Sequence, residues 1–109
     1  MKSKLFLILL FCFTITAIHG QESNRNNPIF EGWYADPEGA VFNDTYWVYP
    51  TFSDDYDKQL HFDAFSSKDL VTWEKHARIL DTTKIKWLRQ ALWAPSIIEK
   101  ESKYYLFFG

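Results

Sequence analysis

Residues 40–52 read AVFNDTYWVYPTF, and this stretch decides the fold class. Two runs rich in aromatic and β-branched residues flank Asn43, Asp44 and Thr45, which are residue types that favour tight turns. The pattern predicts a β-hairpin.

A second hairpin is predicted near the end of the sequence, where the runs SIIEK and KYYLFFG follow Pro95 and are joined by a polar Glu-Ser pair. A shift of 58 positions lays Pro37 on Pro95 and lays YWVY, residues 46–49, on YYLF, residues 104–107. A β-rich unit that begins again after this interval is typical of a β-propeller, in which each blade is a four-stranded sheet around a central channel.

The segment between the hairpins supplies the remaining strands of the first unit. A polar loop at residues 52–59 precedes LHFDAFSS, residues 60–67, which alternates apolar and polar positions and predicts a half-buried third strand. Residues 67–69 then favour a bend into a fourth short strand carrying Val71, Trp73 and Lys75. Residues 82–92 do not hold a helical period, so we expect a long connection with about one turn of helix.

The N-terminal residues differ from the rest of the sequence. Lys2 and Lys4 precede an almost uninterrupted apolar run at residues 5–18, which is the pattern of a secretory signal peptide and is too short for a comfortable membrane span. We therefore expect a secreted or periplasmic protein. The predicted organisation is a signal peptide at 1–20, a polar linker at 21–27 and the N-terminal part of a β-propeller domain at 28–109.

Composition narrows the classes of partner. The only cysteine, Cys12, lies in the leader, so neither a disulfide framework nor a cysteine metal site is expected in the mature chain. Removing Lys2 and Lys4 leaves ten basic residues against 14 acidic ones, which argues against nucleic acid as a partner. Aromatic residues make up 19% of the chain, and their faces suit either sugar rings or a β-rich core.

One carboxylate stands apart from the repeat. In GWYADPEG, residues 32–39, Asp36 precedes the first hairpin, but the 58-residue shift places Ala94 at the same position in the second unit. The fold therefore does not need this carboxylate. We expect Asp36 to face the central cavity of the propeller.

These segments resemble the opening of a family 43 glycoside hydrolase. The resemblance rests on four elements in order: the Asn-Pro entry at residues 27–28, Ala-Asp-Pro at 35–37, Asp-Leu-Val-x-Trp at 69–73 and Trp-Ala-Pro at 93–95. It implies an all-β fold, a five-bladed β-propeller of which about the first one and a half blades are present. It also implies an enzyme that removes arabinofuranosyl or xylosyl units from plant polysaccharides with inversion.

The resemblance assigns roles to several residues. It implies that Asp36 is the general base and that Trp93 lines the sugar site. We expect Trp33, Tyr34 and Phe52 to shape the sugar pocket, with core packing as the alternative for Trp93 and Phe52, and we interpret Trp73 as structural. The expected partner is an arabinose- or xylose-containing oligosaccharide or polysaccharide.

The family's general acid and its second aspartate come from later blades, as does the histidine associated with calcium in some members. We therefore expect no cofactor within this chain and negligible activity from an N-terminal fragment alone. His61 and His76 are separate and predict no transition-metal site. The remaining acidic residues considered are expected in loops, turns or outer strands: Asp54, Asp55, Asp57, Asp63, Glu99 and Glu101.

Two other interpretations remain open. In a non-catalytic sugar-binding propeller, Asp36 would only hydrogen-bond a hydroxyl group and Trp93 would stack on a sugar ring. In a β-sandwich, the two hairpins would resemble each other by chance.

Overall fold

The computed structural model describes residues 27–109. The predicted signal peptide, and the predicted linker up to residue 26, lie outside the described residues. The described part is built from β-strands and two short 3₁₀ turns, so the all-β prediction is confirmed. The strands are β1 (Tyr34–Phe42), β2 (Thr45–Phe52), β3 (His61–Ser67), β4 (Glu74–Asp81), β5 (Ser96–Lys100) and β6 (Lys103–Phe107).

The first four strands form one antiparallel sheet in the order β1-β2-β3-β4, and β5 pairs with β6 in a second sheet. Sequential antiparallel strands joined by short turns need no crossover connection. The first sheet is thus a four-stranded meander, and the second sheet is a two-stranded hairpin.

The two hairpins repeat each other in backbone geometry. Asn43 and Asp44 have φ of 49° and 55°, and Glu101 and Ser102 have φ of 53° and 60°. Two consecutive positive φ values are what a two-residue type I′ hairpin turn requires. Thr45, predicted to belong to the first turn, instead begins β2, because the turn needs only two residues.

Strand β3 is the most buried element. Phe62 through Ser67 are all buried, so both of its faces are covered and the prediction of a half-buried strand was wrong. The side chains of Phe62, Ala64 and Phe65 belong to the core together with Tyr49 and Leu92. The alternation of residue types in LHFDAFSS therefore indicated which side chains share a face of β3. It did not indicate a solvent-exposed face, because both faces are buried.

The Asp-Leu-Val-x-Trp segment forms the predicted bend rather than a strand. Asp69 Oδ1 accepts hydrogen bonds from the backbone N–H groups of Val71 and Thr72, both at 2.8 Å, and from Ser67 Oγ at 3.0 Å. Val71 and Trp73 precede the fourth strand, which begins at Glu74, so of the three residues predicted there only Lys75 lies in it. The strand starts late because Asp69 holds the preceding residues in a turn.

The long connection after β4 has the single helical turn that was predicted, at Thr82–Lys84. It returns to the first unit at Leu92, whose backbone N–H donates to Gln59 O, in the loop before β3, at 3.0 Å and whose side chain is fully buried. This contact sets the position from which the second hairpin begins.

Candidate active site

Asp36 lies at an irregularity in the first hairpin. Ala35 pairs with Thr51 and Glu38 pairs with Tyr49, so Asp36 and Pro37 together lie opposite Pro50. This is a β-bulge, and Asp36 has a φ of 46°, in the left-handed region that aspartate tolerates better than most residues. A bulge redirects a side chain from the regular alternation of the strand, and the side chain of Asp36 is exposed.

A buried threonine contacts this carboxylate. Thr51 Oγ1 lies 3.2 Å from Asp36 Oδ2 and donates a hydrogen bond to it. The same oxygen accepts a hydrogen bond from the backbone N–H of Ala94 at 2.7 Å. Thr51 therefore connects the Ala-Asp-Pro step of the first unit to the Trp-Ala-Pro step of the second.

A carboxylate also joins the two hairpins. Glu38 Oε1 accepts hydrogen bonds from the backbone N–H of Ile97 at 2.9 Å and from Ser96 Oγ at 3.2 Å. These contacts lie at the start of β5. They fix the first residues of the second hairpin against β1.

The predicted aromatic residues divide into two groups. Trp33 is 73% exposed and Trp93 is 49% exposed, so both keep free ring surface in the described chain. Tyr34 and Phe52 instead pack edge to face, with ring centroids 6.0 Å apart, and Phe52 also stacks on His61 at 4.4 Å. The structure thus brings Tyr34 and Phe52 together in the blade, whereas Trp93 is connected to Asp36 through the Ala94 backbone and the Thr51 hydroxyl.

Trp73 lies just before the edge strand of the sheet and is half-buried. Its ring meets that of Phe30 edge to face at 6.2 Å, and Phe30 stacks on Phe65 at 3.7 Å. The tryptophan therefore takes part in the packing of the outer half of the blade.

Asp63 is a buried carboxylate whose position the sequence analysis missed. It lies on β3, inside the sheet, and its exposed fraction is 1%, so its assignment to a loop, turn or outer strand was wrong. Oδ2 accepts a hydrogen bond from the Tyr34 hydroxyl at 2.8 Å and lies 2.9 Å from Lys75 Nζ, while Oδ1 accepts from the backbone N–H of Arg78 at 2.8 Å. The sequence did carry a signal for this site, namely an acidic residue between the apolar residues Phe62 and Ala64 of a predicted strand. A carboxylate buried in such a strand has to be paired with hydrogen-bond donors or a positive charge.

The pKa of Asp63 reflects these contacts. Burial alone would raise it, but the hydrogen bonds from the Arg78 backbone, Lys75 and Tyr34 together outweigh burial and hold the pKa of Asp63 below its ordinary value. His61 Nε2 lies 3.6 Å from Asp63 Oδ1, yet burial lowers the pKa of His61, so the imidazole is neutral near pH 7. Asp63 is an ionised structural carboxylate that holds the Tyr34 hydroxyl.

Of the other acidic residues, Asp54, Asp55, Asp57 and Glu101 lie in a loop or a turn, as expected, whereas Glu99 lies on β5, the first strand of the second unit and not an outer strand. Asp54, Asp55 and Asp57 are in the loop before β3, where Lys58 Nζ lies 2.6 Å from Asp55 Oδ2. Glu99 is exposed on β5 and Glu101 is exposed in the second turn. In residues 27–109 no group of three histidine, cysteine or acidic side chains is arranged to hold a metal ion. No helix in the same range has the length and apolar character to cross a membrane.

Comparison with known proteins decides the family. Residues 25–109 match the family model described as glycosyl hydrolases family 43. The chain belongs to this family. The resemblance based on the Ala-Asp-Pro and Trp-Ala-Pro steps is therefore confirmed.

Relatives of this family 43 chain carry several activity names. It is 45% identical to beta-D-galactofuranosidase xynD of Aspergillus niger, over 94% of this chain and 36% of that protein. It is 31% identical to xylosidase/arabinosidase 43A of Humicola insolens, over 68% of this chain and 27% of the relative. The chain spans about a third of the length of these relatives.

Solved structures support the propeller fold. The RS223 β-xylosidase has a TM-score of 0.61 and 26% identity, over 71% of this chain and 28% of that structure. A GH43_1 enzyme from Xanthomonas citri, complexed with xylose, has a TM-score of 0.65 and 22% identity over 72% of this chain and 25% of its own length. The four-stranded meander is accordingly a blade of a family 43 propeller, and the second hairpin begins another blade.

Proposed function

We propose that this chain supplies the general base of an inverting glycoside hydrolase that acts on furanosyl or xylosyl linkages, with Asp36 as the base. An inverting enzyme needs one carboxylate to take a proton from water and an acid about 6.5–9.5 Å away to protonate the leaving oxygen. The observation that carries the proposal is the position of Asp36 on a bulge, exposed and held by Thr51, at a position where the second unit has alanine.

The Asp36 carboxylate has free hydrogen-bond acceptor positions, as a general base requires. Within residues 27–109, one side-chain hydrogen bond reaches Asp36, and it ends on Oδ2. A carboxylate has about four acceptor positions, so Asp36 retains positions for a water molecule. Asp63, by contrast, already has Tyr34, Lys75 and the Arg78 backbone as partners and is 1% exposed, so it is closed to solvent.

The general acid is proposed to lie outside these 109 residues. Apart from Asp36, the acidic side chains discussed above are buried in β3, as Asp63 is, bound to the start of the second hairpin, as Glu38 is, or located in a loop, a turn or β5. A base acting without its acid loses the protonation of the leaving group, and each such group typically contributes about 10²–10⁴ in rate. Residues 21–109 alone are therefore expected to have negligible glycosidase activity.

The sugar is proposed to be a furanosyl or xylosyl unit held between Asp36 and aromatic surface. Trp93 has free ring surface and is tied to Asp36 through Thr51, which favours it as a stacking residue. Trp33 is also exposed, whereas Tyr34 and Phe52 are packed together and would contribute the wall beneath the sugar. We rank removal of single terminal arabinofuranosyl or xylosyl units first, and the name of the Aspergillus niger relative adds the galactofuranosyl unit to the substrates that need to be assayed.

The test is an assay of the full-length protein and of its Asp36→Ala variant on aryl α-L-arabinofuranosides, β-D-xylosides and β-D-galactofuranosides. The variant is expected to lose about 10²–10⁴ in kcat. The Asp44→Asn variant, which changes an exposed aspartate in the first turn, is expected to keep full activity. Proton NMR of the first product formed is expected to show the anomer opposite to that of the substrate.

A non-catalytic sugar-binding propeller is the second candidate, because Asp36 and Trp93 would also suit a hydroxyl contact and a stacking contact. Calorimetric titration with the same sugars distinguishes the two. Binding with no hydrolysis of any of the three substrates would establish the binding module, and an Asp36→Ala variant with unchanged kcat would remove Asp36 from the role of base.

A further inference from the structure

Thr51 is buried at the junction between the proposed base and the second hairpin. It lies on β2 opposite Ala35, and its exposed fraction is 2%. Its neighbours along the strand are Pro50 and Phe52, which are apolar. A hydroxyl group in such a place requires hydrogen-bond partners, and it has two.

The direction of the two hydrogen bonds is determined by the chemistry of the groups. A threonine hydroxyl has one proton to donate and can accept through its lone pairs. A backbone N–H can only donate, so the Ala94 N–H at 2.7 Å must donate to Thr51 Oγ1. The single hydroxyl proton is then free for Asp36 Oδ2 at 3.2 Å.

The hydroxyl and the carboxylate occur together in one unit and are missing together in the other. The 58-residue shift lays Ala94 on Asp36 and Gly109 on Thr51. Gly109 does occupy that position, since its N–H donates to Trp93 O at 3.1 Å, and Trp93 corresponds to Ala35, the partner of Thr51. The second hairpin forms although Gly109 has no hydroxyl group, so the hairpin fold does not require one at this position. The hydroxyl of Thr51 is present in the unit that has the carboxylate of Asp36.

We propose that Thr51 is a positioning residue that orients the carboxylate of Asp36 toward the reacting water. This inference rests on the proposed function of Asp36. Through Ala94 the same hydroxyl also fixes Asp36 relative to the Trp93-Ala94-Pro95 step. The base on the first blade and the aromatic surface at the start of the second blade thus keep one relative position.

The size of the expected effect follows from the geometry. The 3.2 Å separation is longer than the 2.5–2.7 Å of strong hydrogen bonds between a hydroxyl and a carboxylate. Removing it is therefore expected to misorient the base, not to abolish its action. We expect a loss of about tenfold in kcat, which corresponds to about 1.4 kcal/mol.

The test compares Thr51→Ser with Thr51→Ala in the full-length protein, because both lose the methyl group and only serine keeps the hydroxyl. Alanine is expected to lower kcat about tenfold with KM within about twofold of the wild type, and serine is expected to stay within about threefold in kcat. Thr51→Val, which keeps the shape, is expected to behave like alanine. Thr45→Val changes another threonine of β2, far from Asp36, and is expected to leave kcat unchanged.

Combination with Asp36→Ala separates this inference from the proposed function. In the Asp36→Ala background, Thr51→Ala is expected to cause no further loss of kcat, because the carboxylate it orients is gone. Equal rates for the serine and alanine variants, or a further tenfold loss in the double variant, would overturn the positioning role while leaving Asp36 as the base. An Asp36→Ala variant with normal kcat would instead overturn the proposed function itself.

Discussion

Asp36 and Ala94 lie 58 residues apart and have nearly the same left-handed backbone conformation, with φ of 46° and 44°. Both are followed by proline, and the strand pairing directly after that proline begins at Glu38 in the first hairpin and at Ser96 in the second. The backbone of the repeat is thus retained where the side chain is not. The strained conformation belongs to the blade, and the carboxylate is an addition to it.

The second turn is expected to gain stability from glycine. Ser102 has a φ of 60° in the type I′ turn, a conformation that costs a residue with a Cβ about 1 kcal/mol and costs glycine little. Ser102→Gly is therefore expected to raise the free energy of unfolding by up to about 1 kcal/mol, measured by urea denaturation. Lys103→Gly, at the first residue of β6, is the matched control and is expected to lower stability, because glycine weakens a strand. Destabilisation by both variants would contradict the type I′ assignment.

Loss of the Glu38 carboxylate is expected to loosen the start of the second hairpin. Glu38→Ala removes the acceptor of the Ile97 N–H and of Ser96 Oγ, so the Ile97 amide is expected to exchange its hydrogen about tenfold faster. Glu38→Gln keeps an oxygen in the same place and is expected to exchange nearly as slowly as the wild type. Hydrogen–deuterium exchange followed by NMR measures both. Fast exchange in the glutamine variant would show that charge, not the acceptor, holds this junction.

Acid is expected to weaken the first blade through Asp63. Because the pKa of Asp63 is lowered in the folded state, its contribution to stability is fully present above about pH 4 and is lost as the pH falls through the folded pKa. Asp63→Asn is expected to lower the free energy of unfolding at pH 7 by about 1–3 kcal/mol and to reduce the loss of stability below pH 4. Thermal unfolding between pH 2 and pH 7 measures both quantities. Parallel curves for the two proteins would exclude Asp63 as a source of the pH dependence.

Asp69 is expected to titrate far below an ordinary aspartate. Hydrogen bonds from the backbone N–H groups of Thr72 and Val71 and from the Ser67 hydroxyl lower its pKa to about 2. NMR titration of the side-chain carboxyl carbon is expected to show this midpoint. Ser67→Ala removes one donor and is expected to raise the midpoint measurably. A wild-type midpoint near 4 would mean that these three hydrogen bonds are not held in solution.

The sequence was sufficient to predict the strands of the two hairpins and the 58-residue repeat that relates them. Turn residues such as Asn43 and Asp44 and the aromatic and β-branched runs beside them are local signals, and they identified the strands of both hairpins and the 58-residue shift between them. Asp36 stood out because the comparison of the two units requires no coordinates. The predicted start of the fourth strand was wrong because the side chain of Asp69 hydrogen-bonds the backbone of the following residues and holds them in a turn. The strand therefore begins only at Glu74.

Contacts between distant residues were decided only by the tertiary structure. Asp63 is buried because β3 is covered on both faces, and its partners Tyr34 and Lys75 come from two other strands, β1 and β4. Thr51 is a common residue in a strand, and nothing in its neighbourhood indicates that it meets both Asp36 and the Ala94 backbone. Hydrogen bonds of this kind depend on the register of paired strands and on how the second hairpin sits against the first. The sequence alone thus determined which segments form the blade and which carboxylate the blade does not need, whereas packing decided which side chains hold that carboxylate.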